Sequence, residues 1–215
     1  MPHRPHLLLS AALLAAIAWA VATWPQPARF DPAFLRLSPA EVARLPFAVR
    51  WDAPLGAENG ALAYNAQPFR RNRHLGDDLN GIGGLESDFG DPVYASGLGR
   101  VVYVGVPGPA WGGMVILAHR VRLPEGTRVV QTVYAHLEEM RVQHGQLIQR
   151  GQVIGTVGNA GGRYPAHLHF EVRLGPYVNP GVGYANAPLN RLSPEIFLRQ
   201  HRGAEEAQLH PAPMP

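Results

Sequence analysis

From about Ala48 the chain is assembled from short apolar runs, each broken by glycine, proline, asparagine or aspartate before it can grow into a helix of several turns. "VVYVG" at Val101, "MVILAH" at Met114, "RVVQTVYA" at Arg128, "VIGTVG" at Val153 and "HLHFEVR" at His167 follow one another at intervals of about 10 to 20 residues. They are rich in valine and isoleucine. Runs of this length and composition, in a chain with 24 glycines and 21 prolines, predict a mainly β chain with an antiparallel sheet and argue against a helical bundle. The stretch "HGQLIQRGQVIGTVGNAGG" has six glycines, which suit hairpin turns and close backbone approaches. A phosphate-cradling loop is the alternative, but the helix that such a loop opens does not follow.

The flanks differ from this pattern. Arg4 precedes an apolar run from Leu7 to Ala22 in which Ala18, Ala20 and Ala22 fit a small-residue cleavage pattern, so residues 1–22 are expected to be a signal peptide or a signal anchor. The run is shorter than the roughly 20 residues that a bilayer core requires. The chain is therefore expected to be exported to the periplasm or cell envelope, with membrane contact only if the segment stays uncleaved. Residues 23–46 read as a proline- and alanine-rich linker with one short helix, capped by Ser38 with Pro39 and Glu41 in its first turn. Folding of this segment over the cleft is a further expectation. A sheet domain is expected over 47–200, closed by a helix that starts at Ser193–Pro194 and lays Ile196 and Phe197 on the sheet. Residues 201–215 are expected to be a disordered tail.

Composition narrows the chemistry. The chain contains no cysteine, so it has neither disulfides nor thiolate ligands, and any metal must be held by His, Asp or Glu. All 19 basic residues are arginine, which suits a mild preference for anionic polymers. A net charge of +3, with no basic tract interleaved with aromatics, is not the profile of a nucleic-acid-binding chain.

"YPAHLHFEVR" puts His167 and His169 two residues apart, which in an extended chain places both imidazoles on one face. Two readings are open for such a pair: a metal ligand with a catalytic neighbour, or two polar residues on a solvated face. In "RHLGDDLNG", His74 stands four residues before Asp78, a His and a carboxylate able to turn toward one ion. Taken in order, "RHLGDDLNG", "TVYAHLEE" and "AHLHFEVR" reproduce the HxxxD, YxHL and HxHFE signatures of the lysostaphin/LytM family of zinc metallopeptidases, which this chain resembles from roughly Trp51 to Leu198. "GDPVYASGLGRVVYVG" and the closing "YVNPGVGYANAPLNRLSPEIFL" look like further stretches of that family's domain.

Carried over position by position, the resemblance implies that His74, Asp78 and His169 hold one Zn²⁺ per chain, and that His136 and His167 are the catalytic histidines beside it. It implies the family's antiparallel, duplicated-hybrid-motif-like fold with short peripheral helices. The implied function is an exported zinc metalloendopeptidase that hydrolyses crosslinks or stem peptides of peptidoglycan. A non-catalytic LytM-like module that binds peptidoglycan or activates an amidase is the alternative. Two histidines and one carboxylate leave a coordination position for water, and neighbouring imidazoles suit proton transfer. Which of His136 and His167 is the general base stays open. Asp77 is a rival ligand to Asp78. His119, at the end of an apolar run, is expected to be structural. Glu171 is a candidate to orient a ligand from behind, and Arg70, Arg71 and Arg73 either solubilise a loop or grip a substrate carboxylate. The stretch "LNGIGGLESDF" is expected to border the cleft; its oxygens match no EF-hand spacing. The oligomeric state is open.

Overall fold

In the computed structural model, residues 35–56, 60 and 62–202 are described. The apolar runs become strands, in chain order β1 (Leu35–Arg36), β2 (Ala63–Gln67), β3 (Asp77–Gly81), β4 (Pro92–Tyr94), β5 (Gly99–Gly105) and β6 (Gly113–Leu123). They continue as β7 (Gly126–Met140), β8 (Leu147–Ile148), β9 (Val153–Val157), β10 (Leu168–Leu174), β11 (Tyr177–Val178) and β12 (Arg191–Leu192). Helices α1 (Pro39–Ala43) and α2 (Pro194–His201) are short, as expected. The main sheet runs β2-β3-β10-β7-β6-β5-β8, with β12 beside β10 and β9 joining β7 to β4. Its ladders are antiparallel, so the mainly β, antiparallel reading holds.

Alternation along the central strands builds a core on each face of the sheet. Val115, Leu117 and Val121 of β6 join Val130 and Tyr134 of β7 and Leu168, Phe170 and Val172 of β10 on one side. Met114, Ile116 and Ala118 join Val129, Val133 and Ala135 on the other. Side chains of this kind contribute roughly 1.5–3 kcal/mol each when fully buried.

The second face is covered by the segment read as a linker. Its described part, residues 35–46, is built into the domain: β1 pairs with β11, and Leu37 and Leu45 are buried in the second core. Here α1 carries the expected capping box, with Ser38 N–H donating to Glu41 Oε2 at 2.7 Å and Glu41 N–H to Ser38 Oγ at 3.3 Å. Apolar residues at 35, 37, 42 and 45 explain the docking, because they give a proline-rich stretch enough surface to bury. None of residues 35–46 lines the cleft described below. Residues 1–22 and the rest of 23–46 lie outside the described residues, as does the tail from 203.

At the other end α2 is capped by Ser193 Oγ, which receives Ile196 N–H. Phe197 and Leu198 pack on the sheet, Phe197 edge-on to Trp51 at 4.9 Å, whereas Ile196 is 45% exposed. Expecting Ile196 on the sheet was therefore an error of helical phase. Pro194 is buried, and the positions three and four residues on, Phe197 and Leu198, share its face.

A candidate metal centre

Three pieces of chain distant in sequence meet on one face of the sheet. On β10, His169 lies directly opposite Asp78 of β3 and Ala135 of β7. Directly opposed residues of an antiparallel ladder project to the same face, so the pairing alone brings the His169 and Asp78 side chains together. His74 arrives from the turn before β3, held by a bridge to Tyr184. The result is a triangle. His169 Nδ1 lies 2.9 Å from Asp78 Oδ1, His74 Nε2 lies 3.3 Å from the same oxygen, and the two nitrogens are 3.1 Å apart. All three residues lie within ligand reach of one point.

The donor set fits a cation because of what lies behind it. His74 Nδ1 is 3.1 Å from the carbonyl of Gln67, and His169 Nε2 is 3.1 Å from Glu171 Oε1. A carbonyl and a carboxylate can only accept, so each rear nitrogen carries the proton and each front nitrogen presents a lone pair. With both rings neutral, two lone pairs and a carboxylate oxygen converge on one point, an arrangement that requires a positive charge at its centre, whether a proton or a metal ion. Two imidazoles and one carboxylate are borderline and hard donors of the kind that hold Zn²⁺. Electrostatics show the same demand for positive charge. Burial opposes charge on His169, yet Asp78 and Glu171 together hold its pKa up to about 9, so at neutral pH a proton sits on Nδ1 until an ion displaces it. Burial likewise opposes charge on Asp78, but its bonds to His169 and His74 keep the carboxyl well below the usual range.

The two remaining histidines stand beside the triangle. His136 is the point at which β7 changes partner, from β10 at Ala135 to β9 at Leu137. It takes a left-handed conformation there (φ 63°), unusual for a residue with a side chain. Its backbone N–H donates to the carbonyl of Trp111 at 2.8 Å, and Nδ1 lies 3.1 Å from the same oxygen. Nε2 is thus left as the free lone pair. Burial, and then the neighbouring His169 and His167, push the His136 pKa down to about 3. His167 lies just before β10, bridged to Gly158, with Nδ1 donating to the carbonyl of Pro165 at 2.7 Å and Nε2 3.7 Å from Asp78 Oδ1. The rings of His136 and His167 meet edge to face at 4.7 Å.

All five sequence-predicted residues border one cleft of about 560 Å³, walled by Trp111, Tyr164, Tyr184, Val182 and Gln67. Asp77 is not among them. It faces the opposite side of β3, where its carboxylate receives Phe69 N–H at 2.7 Å and Glu195 N–H at 3.1 Å. Arg70 braces the 185–186 turn through the carbonyls of Ala185 and Asn186, and Arg73 reaches the Asn186 side chain. His119 is buried between the Leu98 carbonyl and Thr132 Oγ1, a structural histidine as expected. No residue of the stretch after Asp78 lines the cleft; it is tied behind the lining residues Pro165 and His167 by Glu86 Oε1, which receives Ala166 N–H.

Sequence reasoning missed Gln67, Trp111, Tyr164 and Tyr184. The first two act on the histidines through backbone carbonyls, which leave no mark on residue type. Only the aromatic character of the wall residues offered a signal.

Comparison with known proteins fits this geometry. A family model described as "Peptidase family M23" matches residues 80–180, a span that includes His136, His167 and His169 and begins just after Asp78. The peptidoglycan DD-endopeptidase ShyB of Vibrio cholerae is 39% identical over 83 residues, 39% of this chain and 18% of that protein. The murein hydrolase activator NlpD of Salmonella dublin is 35% identical over 92 residues, 42% of this chain and 22% of that protein. Among solved structures, lysostaphin, the antimicrobial peptidase from Staphylococcus simulans, aligns with a TM-score of 0.48 and 22% identity over 79% of this chain and 60% of that one. The matched segment spans only 15% to 30% of the length of three of the curated relatives. The lipoprotein NlpD of Yersinia enterocolitica is 34% identical over 92 residues, 42% of this chain and 87% of that protein. By that match and the family match across three of the cleft histidines, the chain belongs to peptidase family M23.

Proposed function

We propose that this chain is an exported zinc metalloendopeptidase that hydrolyses peptide bonds of bacterial peptidoglycan, with His74, Asp78 and His169 as the metal ligands and His136 and His167 as the catalytic histidines. The observation that carries the reading is the convergence of two imidazole nitrogens and one carboxylate oxygen beside two further imidazoles in an open cleft. When bound, the ion supplies a Lewis acid that polarises a carbonyl and acidifies water. The chain itself supplies the proton carriers. With Nδ1 committed to the Trp111 carbonyl, His136 offers Nε2 to the cleft and is neutral at pH 7, so it can accept a proton or stabilise developing charge by returning one. His167, held through Nδ1 by Pro165, presents Nε2 beside it, 3.7 Å from Asp78 Oδ1. Peptidoglycan as substrate is supported by the names of the relatives, and export by the apolar run from Leu7 to Ala22.

A second reading is supported by the NlpD relative: a module that activates another hydrolase and cuts nothing itself. Digestion of purified peptidoglycan, with muropeptide analysis and zinc content measured in parallel, separates the two. The enzyme reading expects zinc at one per chain and newly released peptide ends from the wild type alone. An activator releases products only when an amidase is added. Cleavage of a casein-type substrate at the same rate as peptidoglycan overturns the assigned substrate.

A further inference from the structure

β10 has one apolar face, Leu168, Phe170 and Val172, and one polar face, His169, Glu171 and Arg173, yet both are buried. Glu171 is fully inaccessible and surrounded by charge. Oε1 receives His169 Nε2–H, while Oε2 receives Arg173 Nε–H at 2.5 Å and Arg191 Nε–H at 3.0 Å. The arginines do not stop there. Arg173 donates onward to the carbonyls of Asn179 and Pro180, and Arg191 to the carbonyl of Val182. These carbonyls belong to the turn whose residues Gly181, Val182, Gly183 and Tyr184 form one wall of the cleft. Gly181 is pressed against the cluster: a Cβ there would lie 2.5 Å from Arg191 Nη2.

We infer that Glu171 is a positioning residue that governs two things from one buried carboxylate: which nitrogen of His169 faces the metal point, and the placement of the 179–184 wall. The inference rests on the metal reading above. Without an acceptor behind it, the His169 ring has no reason to keep its proton at the rear, so the front lone pair is lost for part of the time. Without an anion between them, Arg173 and Arg191 repel each other and release the wall carbonyls they hold. A buried ion cluster is a poor source of stability by itself, because desolvation offsets most of the attraction. Its place between a ligand and a substrate wall suits orientation better.

The test is Glu171→Gln in the full chain, read by zinc affinity in chelator competition, by the visible spectrum of the cobalt-substituted protein, and by KM on purified peptidoglycan. The amide that replaces the carboxylate is a weaker acceptor and can turn its NH₂ toward Nε2 instead, so zinc affinity is expected to fall about 10- to 100-fold, as on mutation of an outer hydrogen-bond partner of a ligand, with a changed cobalt spectrum and a raised KM. Arg191→Met, which leaves the His169–Glu171 bond in place, is expected to raise KM with zinc affinity unchanged. If Glu171→Gln does not fold, Glu171→Gln/Arg191→Met carries the same metal test, because it keeps the net charge of the buried cluster. Wild-type zinc affinity and cobalt spectrum in a folded Glu171 variant overturn the inference and leave the proposed function standing. A wild-type chain that takes up no zinc removes both.

Discussion

Each histidine of the cleft commits one ring nitrogen to an acceptor of the frame, the carbonyls of Gln67, Trp111 and Pro165 or the carboxylate of Glu171, and keeps the other for the cleft. What separates the proposed ligands from the proposed proton carriers is place: His74 and His169 reach Asp78 Oδ1 at 3.3 and 2.9 Å, whereas His167 stops at 3.7 Å. His169→Ala is expected to lose both zinc and hydrolysis, whereas His136→Ala keeps zinc and loses about 10²- to 10⁴-fold in kcat, the usual weight of a general acid–base group; retained hydrolysis in both variants would remove the assignment. Gly76 offers a milder probe, since a Cβ there would sit 2.8 Å from the His169 ring and 2.7 Å from the Phe170 carbonyl. Gly76→Ala is expected to cost about 1–3 kcal/mol of stability by overpacking and to weaken zinc binding with every donor still present. Urea midpoints and chelator competition check the two effects. His119 gives the fold a pH dependence of its own, away from the cleft. Burial pushes its pKa down to about 4 from an ordinary 6.5, so below pH 6.5 the unfolded chain binds the extra proton and the folded chain does not. Its contribution to stability is therefore whole above about pH 6.5 and declines toward pH 4, by roughly 3 kcal/mol in all. In urea melts of zinc-free protein at pH 7 and 4.5, His119→Gln should lose distinctly less stability than wild type on acidification; equal losses exclude this account.

The elements make clear which of these features the sequence already contained. Short runs rich in valine and isoleucine made β6, β7 and β10 legible, and the resemblance set His169 and Asp78 on one ion, but the ladder that opposes them was not read from the sequence. The kink at His136 was not legible: nothing in "VYAHLEE" marks the αL residue at which β7 leaves β10 for β9, because the cause is the change of neighbour. Residues 35–46 were misjudged for a related reason. Proline and alanine suggest a linker, but four apolar side chains suffice to dock it over Met114 and Ile116. Leu45, 2% exposed, anchors that docking. Leu45→Ala is expected to cost about 2–5 kcal/mol while zinc affinity stays at the wild-type value, measured by thermal melts and chelator titration. Coupled loss of zinc would show that the docked segment and the cleft, which share one face of the sheet, are not independent.

For the whole molecule, the ion is expected to be part of the stability as well as the chemistry. Zinc held at a hundred times its Kd should stabilise the fold by about 2.7 kcal/mol, so chelation should lower the melting temperature of the wild type and leave that of His169→Ala unmoved. Adjacent carboxylates on β3 give that linkage a direction. Asp78 faces the metal point, while Asp77 accepts the N–H of Glu195 in the first turn of α2. The last helix and the cleft are thus clasped to opposite sides of a single peptide unit. Stripping the ion should accordingly quicken amide hydrogen exchange at the start of α2, letting a spectroscopist sense an empty cleft from the reverse of the sheet.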